Sequence, residues 1–312
     1  VLAAGPGTAV VVDAGPEPGP VDRCLRVLGV SRVPLLLLTH FHQDHVGGLA
    51  GVLRGRSVGA IQTTVLEDPP EQARFVRATA AAAGVPMLRS VPGERRRTGP
   101  LEWEVLWPPA DGPPSGGAND ASVALLVRAP GLRLLLLGDL EPPAQQELLR
   151  EHPELGPVDV LKVAHHGSAH QDPGLLSRVR PRLALIPVGA GNRYGHPAPR
   201  TVAALEAAGA AVLRTDTDGS VAVTGSGPGL RAVPAGRRRR PERAYRRSTP
   251  YIWTAGGRRA APGSPFCLPR PRHHDRMRLR ERGPIPDSTG VHARCSVAGG
   301  GMRRPEVQMP PI

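Results

Sequence analysis

From Val1 to Gly225 the chain alternates short apolar runs with stretches of helical periodicity. Ala9-Val10-Val11-Val12 predicts a strand that stops at Asp13-Ala14-Gly15, and Val21 to Leu28 predicts a helix. Leu35 to Leu38 predicts a buried strand running straight into a histidine cluster, followed by a helix from Val46 to Leu53. Val58 to Ile61 reads as a short strand, and Glu71 to Ala83 as a helix ended by Gly84. Glu102 to Leu106, Ser122 to Arg128 and Leu132 to Leu137 read as strands, with a loop from Ser115 to Ala118. Pro142 to Arg150 starts with proline at a helix N-terminus. Strands follow at Val158 to Val163 and Leu183 to Val188, then a helix from Pro199 to Ala208 and a final strand from Ser220 to Val223.

This alternation predicts a layered α/β domain with mixed sheets. Its polar residues fall in a telling place. Asp13, His40, Asp139 and His165 each stand just past the end of an apolar strand. Strand ends are where sites assemble in such folds.

The pattern stops at Arg237. Residues 237–312 are rich in Arg, Pro and Gly without periodicity, a composition that cannot bury a core. We therefore expect a folded domain over 1–236 and a disordered tail over 237–312, read as a solvated tail or translation out of frame in preference to a basic arm for DNA or anionic lipid. The charge divides at the same point: 22 basic and 22 acidic residues up to Gly236, against 18 and 5 beyond it. The formal charge of +13 thus belongs to the tail, and the folded part carries no basic signature of nucleic-acid binding. One lysine, Lys162, stands against 39 arginines, a ratio read as a GC-rich codon bias. Cys24, Cys267 and Cys295 have no CxxC spacing, so neither a disulfide framework nor a cysteine metal knuckle is expected. The apolar runs Val33 to Leu38 and Leu132 to Leu137 are too short to cross a bilayer, and the chain itself reads as soluble. No signal peptide is recognised. The chain opens at Val1 inside a strand pattern, as a piece of a longer protein would.

The strongest chemical signal is His40-x-His42-x-Asp44-His45: four metal-capable side chains within six residues, on a turn after a strand. His40 and His42 can address one cation, Asp44 and His45 a second. Asp139, after Gly138, can bridge the two at the spacing of about 3.5–4 Å that two-metal hydrolysis uses. His165-His166-Gly167-Ser168 offers one more ligand, read as His166, and one group facing the substrate, read as His165. Asp120 is a candidate ligand of the first metal, or else an Asx turn. His196, in Asn192-Arg193-Tyr194-Gly195-His196-Pro197, is a candidate acid or phosphate contact, or else a turn residue. Asp13 is expected to anchor the histidine loop from behind. His152 and His170 have no such context and read as exposed.

These elements resemble the metallo-β-lactamase superfamily, and more narrowly the C-terminal domain of ComEC-type competence proteins. The resemblance rests on Thr39 to Gly48, Asn119-Asp120-x-Ser122, Leu137-Gly138-Asp139, Asp159 to Ser168, and Val188-Gly189 with Asn192 and Tyr194 to Pro197. No histidine occurs between Val46 and Glu151, where many hydrolases of the superfamily carry a further ligand. ComEC-type domains are similar in carrying Asn-Asp there instead.

The resemblance implies an αββα sandwich, two mixed β-sheets flanked by helices. It also implies a binuclear metal-dependent phosphodiesterase holding two divalent ions, Zn²⁺ or Mn²⁺. The implied ligands are His40, His42, Asp44, His45, Asp139, His166 and Asp120. Asp44, His165 and His196 are the implied catalytic groups, and Asn119, Ser168, Asn192 and Tyr194 the substrate contacts. DNA is the implied substrate and the membrane channel of a parent protein the implied partner. The domain would then be held at the cell membrane on its extracytoplasmic side. Two other readings compete: a metallo-hydrolase of small esters, thioesters or lactones, and a non-catalytic or inert fragment of the channel protein.

Overall fold

The computed structural model describes residues 1–113 and 117–235. The predicted tail lies outside the described residues, as do Ser115 and Gly116 of the predicted loop.

The first half comprises β1 (Leu2–Gly5), β2 (Thr8–Val12), α1 (Pro18–Val27), β3 (Arg32–Val33), β4 (Leu36–Leu38), α2 (Gln43–Val46), α3 (Leu49–Leu53), β5 (Ser57–Val58), β6 (Ile61–Thr63), α4 (Pro70–Ala82) and β7 (Met87–Arg89). Its sheet runs β5-β3-β2-β4-β6-β7, all parallel, with β1 antiparallel on β2. The second half begins with β8 (Arg95–Thr98), β9 (Leu101–Trp107), β10 (Ala124–Ala129), β11 (Leu132–Leu136), α5 (Pro142–Glu151) and β12 (Val160–Lys162). It continues with α6 (Pro173–Val179), β13 (Leu183–Ile186), α7 (Pro199–Ala207), β14 (Ala211–Arg214), α8 (Thr215–Asp218), β15 (Val221–Thr224) and β16 (Arg231–Pro234). Its sheet runs β14-β13-β12-β11-β10-β9-β8, parallel from β11 to β14 and antiparallel from β8 to β11.

Strand alternation sorts the apolar residues into layers. Ala9, Val11, Leu36 and Leu38 pack on Leu25, Val52 and Val76 of the first sheet's helices. Their neighbours Val10, Leu35 and Leu37 point the other way, onto Trp103, Val105, Val123 and Leu125 of the second sheet. Ala124, Leu126 and Leu135 then meet Leu148, Leu175 and Leu205 of α5, α6 and α7. The result is helix, sheet, sheet, helix: the αββα sandwich. Continuous apolar runs such as Leu35 to Leu38 exist because both faces of the strand are covered.

Three sequence expectations need correction. The helix predicted from Val46 to Leu53 is two helices, broken at Gly47-Gly48. A Cβ on Gly47 would stand 2.2 Å from Pro16 O, and one on Gly48 2.1 Å from Ala14 O, so the preceding loop packs directly on this backbone. The strand predicted from Val58 to Ile61 is two strands, β5 beside β3 and β6 beside β4. The strand predicted as final, β15, is followed by β16, and the two form a hairpin. Leu230 with Val223 and Ala232 covers Val160 and Leu183 at the far end of the second sheet.

Candidate metal centre

Four strand ends of the two sheets come together. Asp13 follows β2, Thr39-His40 follows β4, Gly138-Asp139 follows β11, and a 3₁₀ turn, Ala164–Gly167, follows β12. A backbone bond joins the two halves, Val123 N donating to Thr39 O at 2.9 Å, and within the second half His165 N donates to Gly138 O at 3.2 Å. Gly138 has φ +52°, and a Cβ there would lie 2.5 Å from Ser122 Cβ. Only glycine lets the carboxylate of Asp139 arrive at this spot. Asp13, His165 and His166 have φ of 57°, 45° and 49°. Left-handed backbone at non-glycine residues is costly and gathers at functional sites.

Three imidazoles are held in the same manner. His45 Nδ1 donates to Asp13 Oδ2 at 2.9 Å, and His166 Nδ1 donates to Pro187 O at 2.7 Å. His40 Nδ1 stands 3.2 Å from both Ser122 Oγ and Thr39 Oγ1. The Nε2 atoms of His45 and His166 therefore face the other way, into common space. His45 Nε2 lies 3.2 Å from His166 Nε2, and each lies 3.3 Å from Asp139 Oδ2. His40 Nε2 lies 2.9 Å from His42 Nδ1. Asp44 Oδ2, on the more exposed side, is 3.1 Å from His166 Nε2. Two ligand groups result, His40 with His45 and Asp139, and Asp44 with His45 and His166; within each, the donor atoms lie within 4.8 Å of one another. Imidazole nitrogen and carboxylate oxygen make up a donor set that suits zinc, manganese or iron.

The charges agree with this geometry. Burial works against ionisation of Asp139, but Lys162 and His45 outweigh it and hold the carboxyl well below the usual range. Burial likewise pulls His45 down, yet Asp13 and Asp139 raise it to about 10. His166 is raised to about 9, with burial opposed by hydrogen bonds to Asp139 and Asp44. Asp44 is held below the carboxylate range, where His166 and His45 overcome burial. His40 goes the other way, lowered first by burial and then by the charge of His45. A field that favours a proton on two neighbouring imidazoles favours a divalent cation for the same reason.

Not every sequence candidate joins the ligand groups. Asp120 is buried, and its Oδ1 accepts from Glu141 N at 2.9 Å. Ser168 is also buried, with its hydroxyl taken up by His170 and Gln171, so it builds the loop instead of facing a substrate. Asn192 Oδ1 accepts from Tyr194 N and His196 N at 2.9 and 3.2 Å, shaping the rim loop. On that rim Tyr194 is 84% exposed. Its ring stacks at 6.2 Å on His196, which in turn stands edge-on to His165 at 5.2 Å. His196 is held below its usual value by burial and by the charges of His165 and His166. His170 is exposed as expected, but His152 is partly buried, its Nε2 3.0 Å from Leu106 O.

Two residues escaped the sequence reading. Lys162 Nζ reaches Asp139 Oδ1 at 3.2 Å and also bonds Gly138 O. The signal was there: a lone lysine in an arginine-rich chain, at a strand end before a histidine pair. Glu141, whose Oε1 lies 3.2 Å from His165 Nδ1, had no signal beyond its place two residues after Asp139.

Residues 1–172 match the family model of the metallo-beta-lactamase superfamily. The chain belongs to this superfamily. Three curated relatives are competence or recombination proteins. ComE operon protein 3 of Bacillus subtilis is 32% identical over 200 residues, 63% of this chain and 25% of the relative. Competence protein ComA of Neisseria gonorrhoeae is 28% identical over 216 residues, covering 69% of this chain and 28% of the relative. Recombination protein 2 of Haemophilus influenzae is 30% identical over 189 residues, 60% of this chain and 22% of the relative. This superfamily member therefore matches about a quarter of the length of each. Among the described residues no helix is long and apolar enough to cross a membrane.

Proposed function

We propose that the folded region is a binuclear metal-dependent phosphodiesterase that cleaves DNA, within a ComEC-type DNA-uptake protein held at the cell membrane with this domain on the extracytoplasmic side. One observation carries the metal-dependent reading. His45 and His166, each tied back through Nδ1, present Nε2 toward one another and toward the buried carboxylate of Asp139, and His40 joins His45 and Asp139 in one ligand group. Three competence and recombination relatives support DNA as the substrate.

In this reading His40 and His42 hold one Zn²⁺ or Mn²⁺ ion. Asp44, His45 and His166 would hold the other, and the carboxylate of Asp139 would be available to both. Such a pair of ions would supply Lewis-acid activation of a water and charge neutralisation at the phosphoryl oxygens. The chain's own residues do the rest. Asp13, Pro187 and Ser122 fix the rings, and Lys162 holds the second oxygen of Asp139. His165 and His196, side by side at the rim, position the phosphate and meet the leaving oxygen.

The test is cleavage of labelled DNA by the full chain loaded with Mn²⁺ or Zn²⁺. Wild type is expected to cleave, and Asp139→Ala to lose metal-dependent cleavage altogether. Undiminished cleavage in that variant would remove the mechanism. Turnover of esters, thioesters or lactones by the loaded chain, with DNA left intact, would overturn the substrate.

A further inference from the structure

Beside the ligand groups lies a second cluster that ligation does not use. Glu141 caps the start of α5. Its backbone N–H donates to Asp120 Oδ1 at 2.9 Å, and its Oε1 accepts from Asn119 Nδ2 at 3.2 Å. Asn119 and Asp120 thus grip one residue by main chain and side chain together. The same Oε1 stands 3.2 Å from His165 Nδ1. That nitrogen is shut off from solvent and has no hydrogen-bond partner among the described residues. The distance already suits a hydrogen bond and a small turn of either side chain would align the N–H with the carboxylate oxygen, and a buried N–H without an acceptor is disfavoured.

We propose that Glu141 is a positioning residue for His165. Its carboxylate accepts from Nδ1–H and leaves Nε2, the far nitrogen of the ring, to meet the substrate phosphate. His45, His166 and His40 follow the same plan, with Nδ1 held from behind by Asp13, Pro187 O and Ser122 respectively. The left-handed backbone at His165 and His166 lets two successive rings serve different partners, with centroids 6.3 Å apart. Glu141 is 35% exposed, so packing alone does not require a carboxylate there. The Asn-Asp pair then acts through Glu141.

The role of Nε2 rests on the phosphodiesterase reading, so the experiment has two arms. In the first, Glu141→Ala, Glu141→Gln, His165→Ala and the Glu141→Ala/His165→Ala double variant of the full chain are loaded with Mn²⁺. They are assayed on a labelled single-stranded oligonucleotide. Glu141→Ala is expected to lower kcat about 10–100-fold, with KM and bound Mn²⁺ per chain unchanged. Glu141→Gln, which keeps an acceptor oxygen, should recover part of the loss. In the His165→Ala background, Glu141→Ala should cost less than about twofold, because the two residues act as one unit. Losses that multiply would overturn the proposal. In the second arm, long-range ¹H–¹⁵N spectra of the Zn²⁺-loaded chain read the His165 tautomer without substrate. The proton is expected on Nδ1 in the wild type and not in Glu141→Ala. An unchanged tautomer overturns the positioning role whether or not DNA is cut. The expected tautomer change in a chain that cuts no DNA would sink the phosphodiesterase reading alone.

Discussion

Asp13 shows how much one residue can settle. Its carboxylate takes Thr39 N at 2.8 Å, Thr39 Oγ1 at 3.0 Å and His45 Nδ1 at 2.9 Å. Burial alone would raise its pKa, but His45 and Thr39 hold it below the usual range, so it stays ionised behind the ligands. We expect Asp13→Ala to weaken metal binding about 10–100-fold, read by competition against a chromogenic chelator. A circular dichroism spectrum like that of the wild type would separate this from unfolding. The imidazoles add a second prediction. With His45 at about 10 and His166 at about 9, both carry protons near pH 7 that an incoming cation must displace. Metal uptake should release protons, and affinity should climb as the pH is raised from 6 toward 9. Calorimetry in buffers of different ionisation enthalpy would count those protons. A buffer-independent heat would contradict the charges assigned to the site.

Among the elements, α1 and α3 are joined by a clamp that no helical period announces. Arg56 donates to Asp22 Oδ1 and O, each at 3.0 Å, to Gly51 O at 2.9 Å and to Val30 O at 3.1 Å. Burial opposes the charge on Asp22, yet the Arg56 hydrogen bond and the charges of Arg26, Arg56 and Arg54 lower its pKa. A depressed carboxylate stabilises the fold fully above its ordinary value, near 3.9. The contribution is lost as pH falls through the folded value. Asp22→Asn should therefore lower the thermal midpoint at pH 7, by a margin that shrinks toward pH 3. An equal deficit at both pH values would mean that the carboxylate charge is not what holds the clamp. The longer elements, α1, α4, α5, α7 and β9 to β11, were legible in the sequence because each carries a full period of apolar positions. The two-residue strands β3 and β5 were not. Two residues hold no period, and such strands exist only by pairing with β2 and with each other.

For the whole molecule, we propose from the neutral charge balance up to Gly236 and the layered core that the folding unit ends before the arginine-rich tail. A chain ending at Gly236 should keep the metal stoichiometry and the melting transition of the full chain. A truncated chain that fails to fold would move the boundary. The β15–β16 hairpin belongs inside that unit, since it covers Val160 and Leu183. Its second strand was missed because its apolar partners lie far away in the chain.

The amino-acid order by itself determined the class of fold, the strand ends where chemistry gathers, and the residue types that can hold a cation. Those features are local: periodicity, turn residues and closely spaced ligands are written within a few positions of one another. Only the tertiary structure decided that Lys162 faces Asp139, that Asp120 holds Glu141 instead of joining a ligand group, and that the Nε2 atoms of His45 and His166 meet at Asp139. His45 and His166 are 121 residues apart in the chain and 3.2 Å apart in space. That approach follows from the order of strands in two sheets and the packing between them, and no short stretch of sequence records it.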